Sequence, residues 1–438
     1  MKDEVIIVEI RKERTSMELL EKVLDDKNLY KAYEQVYKNK GTSGVDGITV
    51  EELGYSLFLH KEEIKEQIRN RKYKPSPVKR VYIPKENGDK RGLGIPTVVD
   101  RVIQQAIVQV LSPIYEQQFS ETSYGFRPKR SCEMAIIKLL EYFNDEYTWV
   151  VDIDLQKFFD TVCHDKLISI IMKTVHDGEL VSLIRKYLVS GVLEDGIISP
   201  TTVGTPQGGN LSPLLSNIML NELDKELDKR GLRYTRYADD CIIVVKSEKA
   251  ANRVMENITK FIEKKLGLRV NIEKSKIAKP NQIKYLGFGF YNKKGTWRPK
   301  PHLKSVQKFE RKLKQLTKRS WNVSLDERII KLNQVIRGWI NYFKICDMKV
   351  IMNSISKHLS RKIRCIIWKQ WKTCKHREKC LIKLGVSKNK AKRTAYSRAS
   401  YWHNSMSLVL HVAISNDRLK QKGLVIPFEY YQKVHTLV

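Results

Sequence analysis

The sequence predicts an α+β protein, with short strands and tight turns interleaved among helices up to about residue 300 and helices alone beyond. Three observations carry this. The run Arg233–Val245 reads as a short strand, a tight turn holding Asp239 and Asp240, and a second strand that is almost wholly apolar and β-branched. Most other segments place apolar residues at helical spacing. The charge also changes character, because residues 301–400 hold 27 Lys/Arg against 5 Asp/Glu within a chain whose formal charge is +32.

A chain of 438 residues is long enough for two or three domains, and 42% apolar with 30% charged residues is ordinary for a globular protein. The apolar runs are a few residues long, far short of the roughly 20 that a membrane helix needs. Residues 1–16 mix charges with a brief Ile/Val run and lack the apolar core and cleavage site of a secretory signal. Seven scattered Cys form no dense disulfide framework, which points to a reducing cytosol and a cytoplasmic location. So concentrated a positive surplus predicts a polyanionic partner and strong salt dependence, with nucleic acid first and an anionic membrane surface second.

Taken in order, apolar residues at helical spacing predict two short helices between Thr15 and Tyr37, a glycine-rich loop at Gly41–Gly47, and a helix from Glu51 to Tyr73. Pro75 and Pro77 force an extended or turned segment. Val78–Lys85, the Asn87-Gly88 turn and Lys90–Pro96 then read as a hairpin with Lys85 and Arg91 on its arms, either an ordinary solvated hairpin or a cationic cover for a triphosphate. Asp100–Leu111 and Cys132–Phe143 are amphipathic helices, separated by the loop Ser123-Tyr124-Gly125-Phe126-Arg127-Pro128, which suits either packing or clamping a nucleotide strand. Trp149–Leu155 is a strand on which Asp152 and Asp154 share a face. Helices follow at Asp165–Val175 and Glu179–Tyr187. The Pro206-Gln207-Gly208-Gly209 bend lets the backbone approach a ligand closely and leads into a long apolar helix through Leu223. Beyond the double-Asp hairpin come a helix at Lys249–Leu266, a short strand at Leu268–Ile272, and a strand at Tyr285–Phe290. Residues 303–319 form a very basic helix, 326–344 one or two helices, and 350–384 a long basic helix or helix pair with Trp368 and Trp371, a pattern that suits phosphate contacts beside packed or stacked aromatics. Cys365, Cys374, His376 and Cys380 lack the paired Cys units of a structural zinc site and read as thiols on a basic helix.

The carboxylates are the chemistry. Two Asp at the mouth of a buried strand repel unless a cation neutralises them, and an all-oxygen cluster suits Mg²⁺. If the strand ending at Asp154 neighbours the Asp239–Asp240 turn, the carboxylates would hold two Mg²⁺ about 4 Å apart, one activating a 3′-hydroxyl and the other binding a triphosphate. No Ser/His/Asp or Cys/His arrangement competes with this.

Read together, Tyr237-Ala238-Asp239-Asp240, the block Val151–Asp160, the block 204–215, Ser123–Pro128, Ile83-Pro84-Lys85 with Arg91–Pro96, and Tyr285-Leu286-Gly287-Phe288 stand in the order of a known family. The chain resembles bacterial group II intron-encoded reverse transcriptase/maturases over roughly residues 15–400. The resemblance implies a right-hand polymerase, with fingers and a palm carrying an antiparallel sheet, followed by an α-helical thumb/maturase domain. Its parts would be an extension at 1–16, an N-terminal extension motif and fingers with part of the palm at 17–148, palm with the catalytic motifs and primer grip at 149–298, thumb/maturase at 299–385, and a basic nucleic-acid-binding segment at 386–438. The family spacing selects Asp154, with Asp239 and Asp240, as the catalytic carboxylates and metal ligands, joined by the Leu155 backbone. Lys85, Arg91, Leu155, Phe159, Gln207 and Lys274 match the dNTP pocket, with Phe159 as the gate against a ribose 2′-hydroxyl and Lys274, with Lys276 as its competitor, as a proton donor to pyrophosphate. Leu286, Gly287 and Phe288 resemble the primer grip. Lys304, Lys308, Arg311, Lys312, Lys314, Arg361, Lys362 and Arg364 fall where the family binds RNA.

The implied activity is RNA-directed DNA synthesis with two Mg²⁺, or Mn²⁺ in their place, on an RNA template with a DNA primer. The implied partners are dNTPs, a structured intron RNA whose splicing and retrohoming the protein assists, and a target DNA. Many relatives continue into a Cys-rich His-Asn-His endonuclease domain, and the absence of its paired Cys units predicts no DNA cleavage by this chain. The same catalytic residues would also serve a relative recruited to a host task such as phage defence, whereas a purely RNA-binding maturase is expected to have lost an acidic residue. Phe159 argues against an RNA-dependent RNA polymerase.

Overall fold

The computed structural model describes residues 19–84, 88–205 and 208–435, so the expectations for residues 1–16, Lys85 and Gln207 fall outside the described residues. The chain divides into two compact units, Met1–Ala278 and Lys279–Val438. The first mixes helices and sheets, and the second is largely helical.

In the first unit, residues 19–24 are helical and α1 (Asp26–Asn39) and α2 (Leu53–Arg69) follow. The strands β1 (Val78–Pro84) and β2 (Lys90–Ile95) form the expected antiparallel hairpin, with Ile83 opposite Arg91. Next come α3 (Val98–Glu116), α4 (Cys132–Asn144), β3 (Trp149–Ile153), α5 (Phe158–Thr161), α6 (His164–Met172) and α7 (Gly178–Leu188). A hairpin that periodicity did not reveal, β4 (Val192–Glu194) with β5 (Ile197–Ser199), joins β1 in parallel to give the sheet order β2-β1-β4-β5. Its three-residue strands are too short for alternation to register, although Asp195-Gly196, both at positive φ, is a hairpin turn signal.

The second sheet positions the site. After α8 (Ser212–Lys229) run β6 (Arg233–Tyr237) and β7 (Asp240–Val245), then α9 (Glu248–Phe261) and β8 (Lys276–Ala278). The order is β6-β7-β3-β8, antiparallel throughout. Every residue from Cys241 to Val245 is buried, and since neighbours point to opposite faces, β7 is covered on both sides. The strand expected at Leu268–Ile272 contributes only the bridge Leu155–Val270; the pairing strand is Lys276–Ala278, too short and too polar at its start to stand out.

A buried carboxylate ties the hairpin to the helices beneath it. Asp100, in the first turn of α3, accepts hydrogen bonds from Tyr73 Oη (2.7 Å), Thr97 Oγ1 (2.7 Å), Ser76 N (3.1 Å) and Tyr187 Oη (3.2 Å). Burial pushes its carboxyl above the usual range, while those four donors favour the ionised form. The segment entering β1 is therefore fixed to α3 and α7.

In the second unit, β9 (Phe288–Lys293) and β10 (Thr296–Pro301) make a hairpin ahead of α10 (Leu303–Leu316), α11 (Leu325–Tyr342), α12 (Lys349–Gln370) and α13 (Cys374–Lys383). The strand β10 was not expected, because Pro299 and Pro301 break its pattern. Phe309 stacks on Trp339 at 4.5 Å, and Phe343 meets Trp339 at 4.7 Å and Phe288 at 4.8 Å, an aromatic column that joins the hairpin to α10 and α11. Arg328 is fully buried and donates to the carbonyls of Leu316, Lys318 and Trp321, satisfying the C-terminal end of α10.

Candidate active site

The pairing of β3 with β7 ends at Ile153 opposite Cys241, so Asp154 leaves its strand beside the turn that carries Asp239. Ala238, at φ +57°, makes that turn. Asp154, Leu155, Phe159, Asp239, Arg91 and Lys274 all line one cavity of about 830 Å³. Asp154 and Asp239 are half-buried, whereas Asp240 opens β7 as an exposed residue and is not among the lining residues. Asp152 stays within β3, opposite Ile242 and Lys276, and lies outside the lining as well. Burial pushes its carboxyl up to about 6, with Lys276 pulling down and Asp154 pushing up.

The backbone around Asp154 is pinned to a single loop, residues 269–275. Its carbonyl accepts from Asn271 N at 2.8 Å, its own N–H donates to Ser275 Oγ at 3.1 Å, and Gln156 N donates to Arg269 O at 2.8 Å. The loop that does this also carries Lys274. Phe159 is held by its neighbours in the same way. Phe158 is buried and meets it edge-on at 5.2 Å, and Thr205 N donates to Phe159 O at 2.6 Å. Gly204 sits so close that a Cβ would come within 2.8 Å of Phe159 O, and the buried His164 Nε2 lies 2.6 Å from Gly204 O. Gly204 and Thr205 are thus held against the segment that carries Phe159. A Cβ on Gly208 would meet Gly94 O of β2 at 2.5 Å.

Among the described residues no three His, Cys, Asp or Glu converge as a metal cluster. The donor set the cavity does hold fits Mg²⁺. That ion is commonly bound by one or two carboxylates, with water and substrate phosphates completing the shell, and Asp154 and Asp239 are two such groups on one cavity wall.

Behind the turn lies a buried network that the sequence reading missed. Arg236 and Asp224 are both fully buried and paired through two bonds, Nε to Oδ1 at 2.7 Å and Nη2 to Oδ2 at 2.5 Å. Arg236 also donates to Ser123 Oγ (2.8 Å), Asn217 Oδ1 (3.0 Å) and Ala238 O (2.8 Å). Burial pushes the Asp224 carboxyl up while the guanidinium pulls it down. The usable signal was a cation inside a short strand and a carboxylate inside the apolar face of α8.

The loop Ser123–Pro128 packs rather than reaching outward. Tyr124 N donates to Arg236 O, Arg236 N donates to Thr122 O, and Arg127 is buried against Glu116, leaving only Phe126 of its aromatics exposed. It covers the outer edge of β6, and Gly125 lies directly against Ala238.

In the second unit the predicted basic residues separate into two environments. Lys304, Lys308, Arg311, Lys312 and Lys314 are exposed on α10, and Arg311 and Lys314 share a cavity of about 610 Å³ with Lys362 and His358 of α12. Burial, then Lys314, holds Lys362 below the usual lysine range. Arg361 lies 3.6 Å above the Trp402 ring. Arg364 is buried with Nη1 2.7 Å from His411 Nδ1, so it supports packing rather than presenting charge. Leu286 and Gly287, both at positive φ, form a tight turn closed between Tyr285 and Phe288. Tyr342 Oη and Ser305 Oγ donate to the carbonyls of Leu286 and Gly287 at 2.8 and 2.9 Å.

Residues 83–290 match the family described as reverse transcriptase (RNA-dependent DNA polymerase), and residues 306–385 match the group II intron, maturase-specific domain. The chain is 34% identical to Protein YkfC of Escherichia coli (strain K12) over 299 residues, 59% of this chain and 78% of YkfC. It is also 34% identical over 330 residues to the group II intron-encoded protein LtrA of Lactococcus lactis subsp. cremoris, covering 59% of this chain and 54% of LtrA. With the putative COX1/OXI3 intron 2 protein of Saccharomyces cerevisiae it shares 28% identity over 386 residues, 74% of this chain and 44% of that protein. The match therefore spans only about half the length of the last two relatives.

Proposed function

The chain belongs to the group II intron-encoded reverse transcriptase/maturase family, and from that premise we propose that it copies an RNA template into DNA from a primer 3′ end while its helical unit binds a structured intron RNA. The observation that carries the polymerase reading is the convergence of Asp154 and Asp239, from neighbouring strands, on a cavity also lined by Phe159 and Arg91. In this reading the sheet β6-β7-β3-β8 is the palm, the β1–β2 hairpin belongs to the fingers, and the helices from α10 onward are thumb and maturase.

Asp154 and Asp239, with the Leu155 backbone, would hold Mg²⁺. When bound there, Mg²⁺ lowers the pKa of the primer 3′-hydroxyl and offsets charge on the departing pyrophosphate. The protein's own part is placement and counter-charge, because phosphoryl transfer of this kind needs no covalent nucleophile. Arg91 meets the triphosphate with a fork of donors, and Lys274 faces the same cavity as a proton donor to pyrophosphate. Phe159 lies beneath the sugar and rejects a 2′-hydroxyl by steric contact. Gln207 shapes the nascent base pair. The exposed cations of α10, with Arg361 and Lys362 on α12, hold the phosphates of the intron RNA during splicing and retrohoming.

Incubating the purified protein with a DNA primer, an RNA template, dNTPs and Mg²⁺ tests the reading. Primer extension is expected, and Asp239→Asn should abolish it while leaving RNA binding nearly intact. Extension by that variant at the wild-type rate would show that the carboxylates have been misassigned. A self-splicing RNA in the DNA flanking the gene would identify the intron partner.

A further inference from the structure

We propose that Arg236 is a positioning residue for the reaction, which rests on the polymerase reading above: it aims Asp239 by holding the carbonyl of Ala238. A guanidinium carries five N–H groups, and all five are used here. Nε and one Nη2 proton bind the two oxygens of Asp224, the second Nη2 proton binds Ser123 Oγ, and the Nη1 pair is divided between Asn217 Oδ1 and Ala238 O. The last of these matters most. The Ala238 carbonyl belongs to the peptide that leads into Asp239, so its direction sets the path of the backbone from which the carboxylate projects.

That path needs a restraint. Ala238 adopts φ +57°, which residues with a Cβ rarely do. The network supplies a restraint from two directions. Arg236 grips the carbonyl of Ala238, while Asn217, which accepts from Arg236, donates through Nδ2 to Gly125 O at 2.8 Å. Gly125 is the residue whose backbone lies against Ala238 N. One buried guanidinium therefore fixes both the turn and the loop pressed against it.

A salt bridge kept only for stability would be replaceable, because well-packed apolar side chains of similar volume often substitute for a buried ion pair without loss. This separates the two roles. The double variant Arg236→Met/Asp224→Leu removes both charges together, so it strands no buried charge and is expected to fold with a melting temperature lowered only by the acceptors it leaves, yet it has no donor for Ala238 O. Its kcat for incorporating a single dNTP should fall by about 100-fold, the scale of an ångström-level misplacement, with KM for dNTP and affinity for the template–primer within about twofold of wild type. A second readout does not depend on turnover. Fe²⁺ in place of Mg²⁺, with ascorbate and peroxide, cuts the backbone beside the bound ion, and the cut near Asp239 should weaken in the variant relative to the cut near Asp154.

A folded double variant with wild-type kcat, or with an unchanged cutting pattern, overturns the inference. Should the double variant fail to fold, Arg236→Lys keeps a charge for Asp224 but cannot also span to Ala238 O, and wild-type kcat in that protein is equally fatal. If the wild-type protein itself extends no primer, the polymerase reading fails, whereas the cutting comparison still decides whether Arg236 aims Asp239.

Discussion

Gly125→Ala makes the sharpest steric test of the turn. A Cβ on Gly125 would lie 2.2 Å from Ala238 N, 2.9 Å from Tyr237 C and 3.0 Å from Ala238 Cα, all of them backbone atoms with no flexible end to swing away. Restoring an ordinary contact of 3.4 Å to the nearest of these requires a displacement of about 1.2 Å. The loop cannot supply all of it, since Tyr124 N and Asn217 Nδ2 fasten it at 2.8 Å on either side of the glycine. Part of the shift must pass into Ala238 and so into Asp239. An ångström at the reacting centre costs about 100-fold in rate, and overpacking a filled site costs about 1–3 kcal/mol in stability. The assay is single-turnover incorporation of one dNTP on an RNA template, with thermal melting of the same preparation. A Gly125→Ala protein that incorporates and melts like the wild type would refute the idea that this contact sets the turn.

Phe159→Ala should raise incorporation of rNTPs relative to dNTPs, read as the ratio of their kcat/KM values, and an unchanged ratio removes Phe159 from the sugar pocket. Replacing Lys304, Lys308, Arg311 and Lys312 with Gln should weaken RNA binding and reduce the slope of log K against log salt by about 3, at about 0.7 per phosphate contact on a single strand; an undiminished slope places the RNA elsewhere. Gly338, exposed within α11, has nothing within 4 Å of where a Cβ would stand. Gly338→Ala should therefore stabilise the protein by about 0.5–1 kcal/mol in chemical denaturation, and destabilisation would mean that this helix is not continuous there.

The elements that announced themselves in the sequence were those whose burial is one-sided or complete over many residues. The β6–β7 hairpin, the amphipathic α3 and the basic α10 each repeat one pattern long enough to be read, whereas the pairing of β3 with β7 stood in the sequence only as the condition under which Asp154 and Asp239 would meet, and the register supplies it. Short strands were lost. The strands β4, β5 and β8 are three residues each, and β10 is interrupted by Pro299 and Pro301. Period-2 alternation left Asp152 and Asp154 equivalent; the family spacing selected Asp154, and the register keeps Asp152 between two strands while Asp154 passes beyond the last pair. The Asp224–Arg236 pair went unread for a related reason: each residue looks like an ordinary surface charge until the two elements that carry them are brought together.

The parallel contact between β1 and β4 has a consequence for how the chain is made. Val78 pairs with Val192, so β1 emerges from the ribosome about 114 residues before its partner exists. At about 5–20 residues per second that is a wait of roughly 6–23 s. For that interval an open strand edge, with Val81, Tyr82 and Ile83 exposed even in the finished fold, stands available to any other extended segment nearby. Yield from rapid synthesis should accordingly depend on chaperone capacity and temperature at just this stage of translation.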